Sequence, residues 1–407
     1  MPATTPRTAI RSTAAVGVAL AVALSGCTSS DGSAARSSSP TSSSPAPKAS
    51  SSSPAKPHPR VSVAGVPTAL AKTVRQLYAG KPVPAPAPLR RVLAQRATSH
   101  GRVKAHGNVA SWKSSKIAVV TARHDVTLAV QGKHGWHVVG GWWPSMKVRR
   151  PQLGGTRHVL LMGSDARVSH GQEVARSRAD SLHVIGLDGR GGAGVLGIPR
   201  DSWVSLATGG PGKINSAMAY GGPTAELKTV RHVTGLPIEG YLLTGFVGFR
   251  HAIDAFGGLP FDAPKAVIDP THHNSGADVK KGKQHLNGDE ALAYARERKS
   301  LPDGDFGRSR NQGWLLLAGA ALVRGGGPEK LPRYLHELSP YVTTDLSAQQ
   351  VLTLAAHVFT LNPHRVRNEV ATGGFGVRGG GQSVVLLGSG ARHLFHDLRD
   401  GTLSGGG

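Results

Sequence analysis

The first patterned stretch of the chain is apolar without a period, Ala14 to Leu24, behind Arg7 and Arg11. A run of about eleven residues is too short for a hydrocarbon core of about 30 Å and fits the apolar region of an export signal. Residues 28–60 carry Ser, Pro and Ala with no aromatic or aliphatic spacing, which predicts a flexible tether. Val66 to Tyr78 has helical spacing, and a Pro-rich stretch follows at 82–88. The runs 116–120, 126–130 and 136–139 then read as strands. A small β-rich accessory domain is expected over 61–150. Its Trp142 and Trp143 read as buried or boundary aromatics rather than as a surface for sugars.

From Arg157 the pattern changes. Buried strands are predicted at 158–163, 182–187, 194–198 and 241–244, with shorter ones at 367–371 and 383–387. Helical patterns fall at 213–221, 223–234, 246–256, 287–295, 306–324, 328–338, 347–360 and 390–398. Mixed strands with helices on both faces place the fold in the α/β class, as a three-layer α/β/α domain with a mixed central sheet over 155–400. A Gly-rich tail closes the chain at 401–407.

Composition changes this picture in two places. The chain has 407 residues and a single cysteine, Cys27, directly after Leu24-Ser25-Gly26. Small residues before a Cys resemble a bacterial lipobox. Residues 1–27 are therefore expected to be a lipoprotein signal peptide, with Cys27 acylated and the chain held outside the cytoplasm on the membrane of a bacterial cell envelope. The net charge of +24 points to anionic partners, phosphate-bearing polymers or lipid headgroups among them. Nucleic acid is not expected, because no helix-turn-helix, zinc-finger or RNP-like string is present.

Candidate chemistry gathers at predicted strand ends. Gly163-Ser164-Asp165-Ala166-Arg167 leaves the first strand and Arg178-Ala179-Asp180-Ser181 enters the second. If these strands are neighbours, Asp165 and Asp180 meet at one edge, with Arg167 and Arg178 beside them. Two carboxylates suit Mg²⁺, which takes few protein ligands and shares the rest with substrate phosphate. Ile198-Pro199-Arg200-Asp201 ends the third strand, and Lys213-Ile214-Asn215 is expected to open a helix whose N–H groups favour anions. Arg296 and Arg298 reach one site only if a helix ends near Ala295 and the segment becomes extended. Asp305 is expected to cap the next helix, on which Arg308 and Gln312 share a face. Arginine forks bind phosphate oxygens bidentately. Gly192-x-Gly194-x-x-Gly197 matches a dinucleotide fingerprint as text, but no helix follows it, so it reads as a turn into a strand.

The ordered series Gly-Ser-Asp-x-Arg, Arg-x-Asp-Ser, Ile-Pro-Arg-Asp, Lys-Ile-Asn, Arg-x-Arg and Asp-x-x-Arg-x-x-x-Gln resembles the LytR-CpsA-Psr family, strongly over 155–325 and loosely to 400. The resemblance implies that Asp165 and Asp180 hold Mg²⁺ with a pyrophosphate. Arg200, Lys213, Arg296, Arg298, Arg308 and Gln312 would line the pyrophosphate site, with Arg167, Arg178, Asp201 and Asn215 as further substrate-binding residues. The implied substrate is a polyprenyl-pyrophosphate-linked glycopolymer, its lipid tail in an apolar groove between sheet and helices. The implied reaction is transfer to a cell-wall acceptor glycan such as peptidoglycan.

Three features depart from the family pattern. A lipobox stands where a transmembrane anchor is usual. Asn311-Gln312 replaces an Arg-Gln pair, with Arg310 one place early. The stretch Val168 to Ser177 between the two acids is long. The same residues also fit a hydrolase using water as acceptor, or a non-catalytic envelope-binding lipoprotein.

Overall fold

The computed structural model describes residues 59–404 apart from His100 and His272. Cys27, the expected signal peptide and the tether up to residue 58 lie outside the described residues.

The accessory region opens with β1 (Arg60–Ala64), α1 (Thr68–Tyr78) and α2 (Ala87–Ala94). Five strands follow: β2 (Arg102–Trp112), β3 (Ser115–Ala122), β4 (Asp125–Gly132), β5 (Gly135–Trp143) and β6 (Val148–Gln152). They form one sheet in chain order, with β1 parallel to β2 and the others antiparallel. Strand alternation gives the sheet two apolar faces. Ala118, Val120, Ala129 and Val138 pack under Leu70, Val74 and Leu77 of α1 and Leu89 and Leu93 of α2. Ile117, Val119 and Leu128 point the other way. Trp143 is buried and donates through Nε1 to Thr127 Oγ1 at 2.8 Å, so it has no free face for a sugar.

The second region runs through β7 (Arg157–Ser164), β8 (Ala179–Leu187), β9 (Ala193–Gly197), β10 (Trp203–Ser205), β11 (Pro211–Lys213), α3 (Ser216–Thr234), β12 (Tyr241–Gly245) and α4 (Phe246–Ala255). Next come β13 (Leu259–Ala263), β14 (Val267–Ile268), β15 (Asp278–Val279), β16 (Gly282–Leu286), α5 (Gly288–Arg296), α6 (Asp305–Gly326) and α7 (Leu331–Leu338). It closes with β17 (Thr343–Thr344), α8 (Ala348–Ala356), β18 (Val366–Val370), β19 (Gly373–Arg378), β20 (Gln382–Leu387) and α9 (Ser389–Asp397). The central sheet has the order β17-β12-β7-β8-β9-β18; β12 is parallel to β7 and β18 to β9, and the other pairs are antiparallel. Leu160, Met162, Leu182, Val184 and Leu196 on one face are covered by α3 and α9. The other face carries Leu161, Ile185 and Leu242 toward the remaining helices. The mixed sheet and three α/β/α layers expected from the pattern are present.

Two findings bear on how the regions join. Leu331 and Leu335 of α7 and Val351 and Leu352 of α8 share one core with Ile117 and Leu128 of the accessory sheet and Val159 and Leu187 of the central sheet. The α7–α8 layer is thus sandwiched between two sheets. Leu403, in the expected tail, is also buried against α3 and α9, so the fold continues past residue 400. The two helical patterns at 213–234 form α3 with a break at Gly222 (φ +75°) before Pro223. Glu226, just beyond the break, is fully buried and accepts from Met218 N at 2.9 Å; burial pushes its carboxyl up to about 8.

Candidate active site

Antiparallel pairing decides where the acids meet. β7 ends opposite the start of β8, with Ser164 paired to Ala179 past a bulge at Gly163. Such bulges re-aim the chain beside functional sites. Asp165 and Asp180 therefore stand at the same sheet edge. The long intervening segment is closed by a clasp between Asp165 and the Arg178 main chain: Asp165 N donates to Arg178 O at 3.1 Å, and Arg178 N to the Asp165 side chain at Oδ1, 3.0 Å. β9 is antiparallel to β8 and ends at that edge too, which delivers Arg200.

Arg200 forms an ion pair with Asp180, and its Nε lies 3.8 Å from both Asp201 and Asp305. Arg308 Nη2 is 2.6 Å from Asp305 Oδ1 and 3.4 Å from the Asp180 carbonyl. The result is a chain of alternating charge, Asp180–Arg200–Asp305–Arg308. Its side chains are 18, 19, 12 and 7% exposed, so the network is largely out of water. Burial, and then the nearby Asp180 charge, raise Asp165 above the usual carboxylate range. Burial likewise raises Asp305, against the pull of Arg308 and Arg200. Burial lowers Arg308; it acts on Arg200 in the same direction, but there Asp180, Asp305 and Asp201 outweigh it and hold the guanidinium charged.

Several polar atoms here are buried without a hydrogen-bond partner: Asp180 Oδ1, Asp305 Oδ2 and the Nε of Arg308. Buried polar atoms are normally satisfied, so this cluster has free capacity for a ligand. A divalent cation fits the acidic half, since Asp165 faces the charge of Asp180 and Asp180 Oδ1 is free. Among the described residues no three His, Cys, Asp or Glu side chains are grouped as a metal cage. Mg²⁺ does not need one, because it keeps waters and borrows phosphate oxygens.

Below the charged mouth lies a cavity of about 790 Å³ between the sheet and α4, α5 and α6. Asp165, Arg167, Asp180, Arg200, Arg296, Arg298, Arg308 and Gln312 line the mouth. Leu242, Phe249, Ile253, Leu316, Leu322 and Val342 are among the apolar side chains lining the rest. Helix α6 serves both parts, with Arg308 and Gln312 near its start and Leu315 to Val323 further along the same helix. Gln312 also donates to Ala295 O at 2.9 Å, tying α6 to the last turn of α5.

The double arginine behaves as the spacing predicts. Helix α5 ends at Arg296, Glu297 is extended (φ −66°, ψ +132°), and both guanidiniums reach the cavity. Arg296 also lies over the Phe246 ring, 5.1 Å from its centroid. Glu297 between them turns inward, is buried, and accepts from Ser275 Oγ and from Ser300 N at 2.8 Å. Ser275 belongs to a loop wound around buried Asp269, whose carboxylate accepts from the N–H groups of Thr271, Asn274, Ser275 and Gly276 at 2.8–3.1 Å. Burial opposes ionisation of Asp269, but these donors hold it well below the usual carboxylate range. Asn274 and His273 of this loop reach the cavity wall.

Four expected contacts do not fall on that wall. Arg178 contributes its main chain and leaves its side chain exposed. Lys213 ends strand β11 instead of opening a helix, because Gly209 and Gly210, both at positive φ, turn the chain into a hairpin first. Its Nζ pairs with Asp201 at 2.8 Å, so Lys213 and Asp201 support Arg200 from outside. Asn215 is buried behind the site, where its main chain joins Arg200 O and Ala179 N. Asp305 does not cap α6 either: Gly304 (φ +51°) holds the cap position, and the carboxylate is spent on Arg308. Arg310 points away, paired with Asp303 at 2.6 Å. His183 escaped the sequence reading. It is a buried side chain of β8 on the cavity wall, pushed down to about 4 by burial and held by Ser309 O at 3.0 Å. The dinucleotide-like glycines lie at and within β9.

A mixed α/β/α sheet whose edge gathers carboxylates and arginines over an apolar cavity defines the class of fold and site. The LytR_cpsA_psr family model matches residues 124–384, well over half of the chain, and the chain belongs to that family. TagV of Bacillus subtilis strain 168, named a polyisoprenyl-teichoic acid–peptidoglycan teichoic acid transferase, is 39% identical over 166 residues, 39% of this chain and 42% of that protein. TagU of Bacillus mycoides, with the same transferase name, is 33% identical over 201 residues, 48% of this chain and 62% of the relative. The chain spans about half the length of the curated relatives it matches. The crystal structure of B. subtilis TagV superposes with a TM-score of 0.52 at 29% identity, covering 61% of this chain and 98% of that one.

Proposed function

We propose that this chain transfers a glycopolymer, as its sugar phosphate, from a polyprenyl-pyrophosphate carrier to a hydroxyl of a cell-wall glycan such as peptidoglycan. The observation that carries the reading is the continuity of the apolar cavity with a buried arginine–carboxylate mouth. The prenyl tail occupies the cavity, and the pyrophosphate lies against Arg200, Arg296, Arg298 and Arg308. Asp165 and Asp180 would hold Mg²⁺, which supplies charge neutralisation for the pyrophosphate when bound.

The acceptor oxygen forms a bond to the sugar-side phosphorus as the bond from that phosphorus to the bridging oxygen breaks. Polyprenyl phosphate leaves with the bridging oxygen and its electron pair, and the hydroxyl proton is released at the carboxylate end of the mouth. The chain's own part is to orient the diphosphate, stabilise charge on its oxygens with fixed guanidiniums, and exclude water with the apolar walls. We further propose that Cys27 is acylated and holds the chain on the outer face of the membrane.

Purified protein with a polyprenyl-pyrophosphate saccharide and Mg²⁺ tests this, with and without soluble wall glycan. The expected result is polyprenyl phosphate plus saccharide phosphate joined to the glycan, suppressed by chelator. Free saccharide phosphate whether or not glycan is present would make the protein a hydrolase, and absence of turnover would leave a binding lipoprotein. A palmitate analogue supplied to cells should label the wild-type chain and leave Cys27→Ser unlabelled.

A further inference from the structure

The charge excess is not where the chemistry is. Residues 59–152 hold sixteen Lys and Arg and one acid, Asp125. That acid is 1% exposed and engaged by Ser145 N at 3.0 Å and by Ser145 Oγ. Fifteen of the sixteen cations are exposed, and Arg96 is partly buried. Among the described residues, no Lys or Arg of this region takes part in an ion pair. Residues 153–404 are close to balanced, with 27 Lys and Arg against 22 acids.

Five of these cations decorate one surface. Lys72 and Arg75 on α1, Lys81 in the connection, and Arg90 and Arg91 on α2 are all exposed, while Leu70, Val74, Leu77, Leu89 and Leu93 face the sheet. Because α7 and α8 cover the opposite side of that sheet, the α1–α2 layer looks away from the catalytic region. The adjoining edge adds Arg60, directly opposite Arg102 in the β1–β2 register, with Lys104 two places on. Like charges set opposite each other on neighbouring strands cost stability in the free protein. Nothing in the fold offsets that repulsion, and an external anionic surface would.

We propose that the α1–α2 layer with the β1–β2 edge is a docking face for an anionic lipid surface. The cations are spread over an outward helical layer rather than around the described cavity, which suits a sheet of headgroups. The layer also stands at the start of the described residues, following in sequence the segment that carries Cys27. The cavity's demand for a membrane amphiphile agrees, and that one support rests on the proposed function; the charge argument stands without it and without acylation.

The test is flotation of the full chain carrying Cys27→Ser with vesicles of phosphatidylglycerol mixed into phosphatidylcholine, and with phosphatidylcholine alone. Preferential binding to the charged vesicles, weakening steeply with salt, is expected. Reversing four charges (Lys72→Glu, Arg75→Glu, Arg90→Glu, Arg91→Glu) should weaken that binding by about a hundredfold or more. The charge-keeping set Lys72→Arg, Arg75→Lys, Arg90→Lys and Arg91→Lys should retain it, which guards against misfolding of the reversed variant. Equal binding to both vesicle types would overturn the proposal. So would unchanged binding of a folded reversal variant, or capture by soluble polyglycerol phosphate without capture by vesicles. Loss of transferase turnover in a separate assay bears on the proposed function and leaves this outcome unaffected.

Discussion

Residues 59–152 and residues 153–404 each organise a six-stranded sheet, and they treat charge in opposite ways. In the second region every one of the ten described ion pairs is found, and the central ones are largely out of water. In the first region, around one buried acid, fifteen of the sixteen cations are exposed and, among the described residues, none is ion-paired. A buried charge has a fixed position and needs partners, so it can act on one phosphorus atom to within a fraction of an ångström. An exposed charge is screened and mobile, and acts only as part of a summed field. The contrast teaches that net charge on this chain reports on where it rests, while the site is made of few charges held dry.

The largest expected effect comes from breaking the buried network. Asp180→Ala should lower turnover by about 10²–10³-fold, as loss of one preorganised electrostatic contact does elsewhere, read as polyprenyl phosphate released per enzyme. Retained turnover would mean that the buried network is structural only. Next is Glu226. Its folded value of about 8 lies above its ordinary 4.5, so the folded chain binds the extra proton between those values. The stability present below pH 4.5 is lost as pH rises through 8, by on the order of a few kcal/mol. Glu226→Gln should flatten that slope in denaturant titrations across the window. Cavity filling should be milder. A Cβ at Gly319 meets nothing within 4 Å and would project from the cavity-lining α6, so Gly319→Phe should raise KM for a long-chain donor by about tenfold and spare a short-chain one. Smallest is Arg310→Ala, which removes a half-exposed pair with Asp303; less than about threefold in turnover is expected. A large loss there would restore Arg310 to the site.

How much of this was legible depends on the kind of signal. Strands β7, β8 and β9 are buried on both faces and read directly as apolar runs, and once they are neighbours Asp165, Asp180 and Arg200 must converge. The break after Arg296 was readable because two arginines at i and i+2 cannot share a helix face. Helix α2 was obscured by Pro86 and Pro88, although proline is tolerated at a helix start. Strand β20 matches the apolar run at 383–387, whereas β13, β16 and β19 are only five or six residues long and half-exposed, too short for their alternation to stand out. Lys213 was misplaced because a Gly-Gly turn rather than a periodic pattern decides its neighbourhood. The Asp269 loop had no sequence signal, since its order comes from one carboxylate gathering backbone N–H groups that look like any polar stretch.

Helix α6 has a kinetic consequence. One helix carries both Arg308 at the mouth and Leu322 in the cavity wall, so on the proposed function head and tail of a bound carrier would be gripped by the same body. In the proposed transfer the departing carrier loses one phosphate but none of its hydrocarbon. Its hold in the cavity would therefore be nearly undiminished, and the slow step expected of a full cycle is the exit of the spent lipid, visible as a first rapid turnover followed by a slower steady rate.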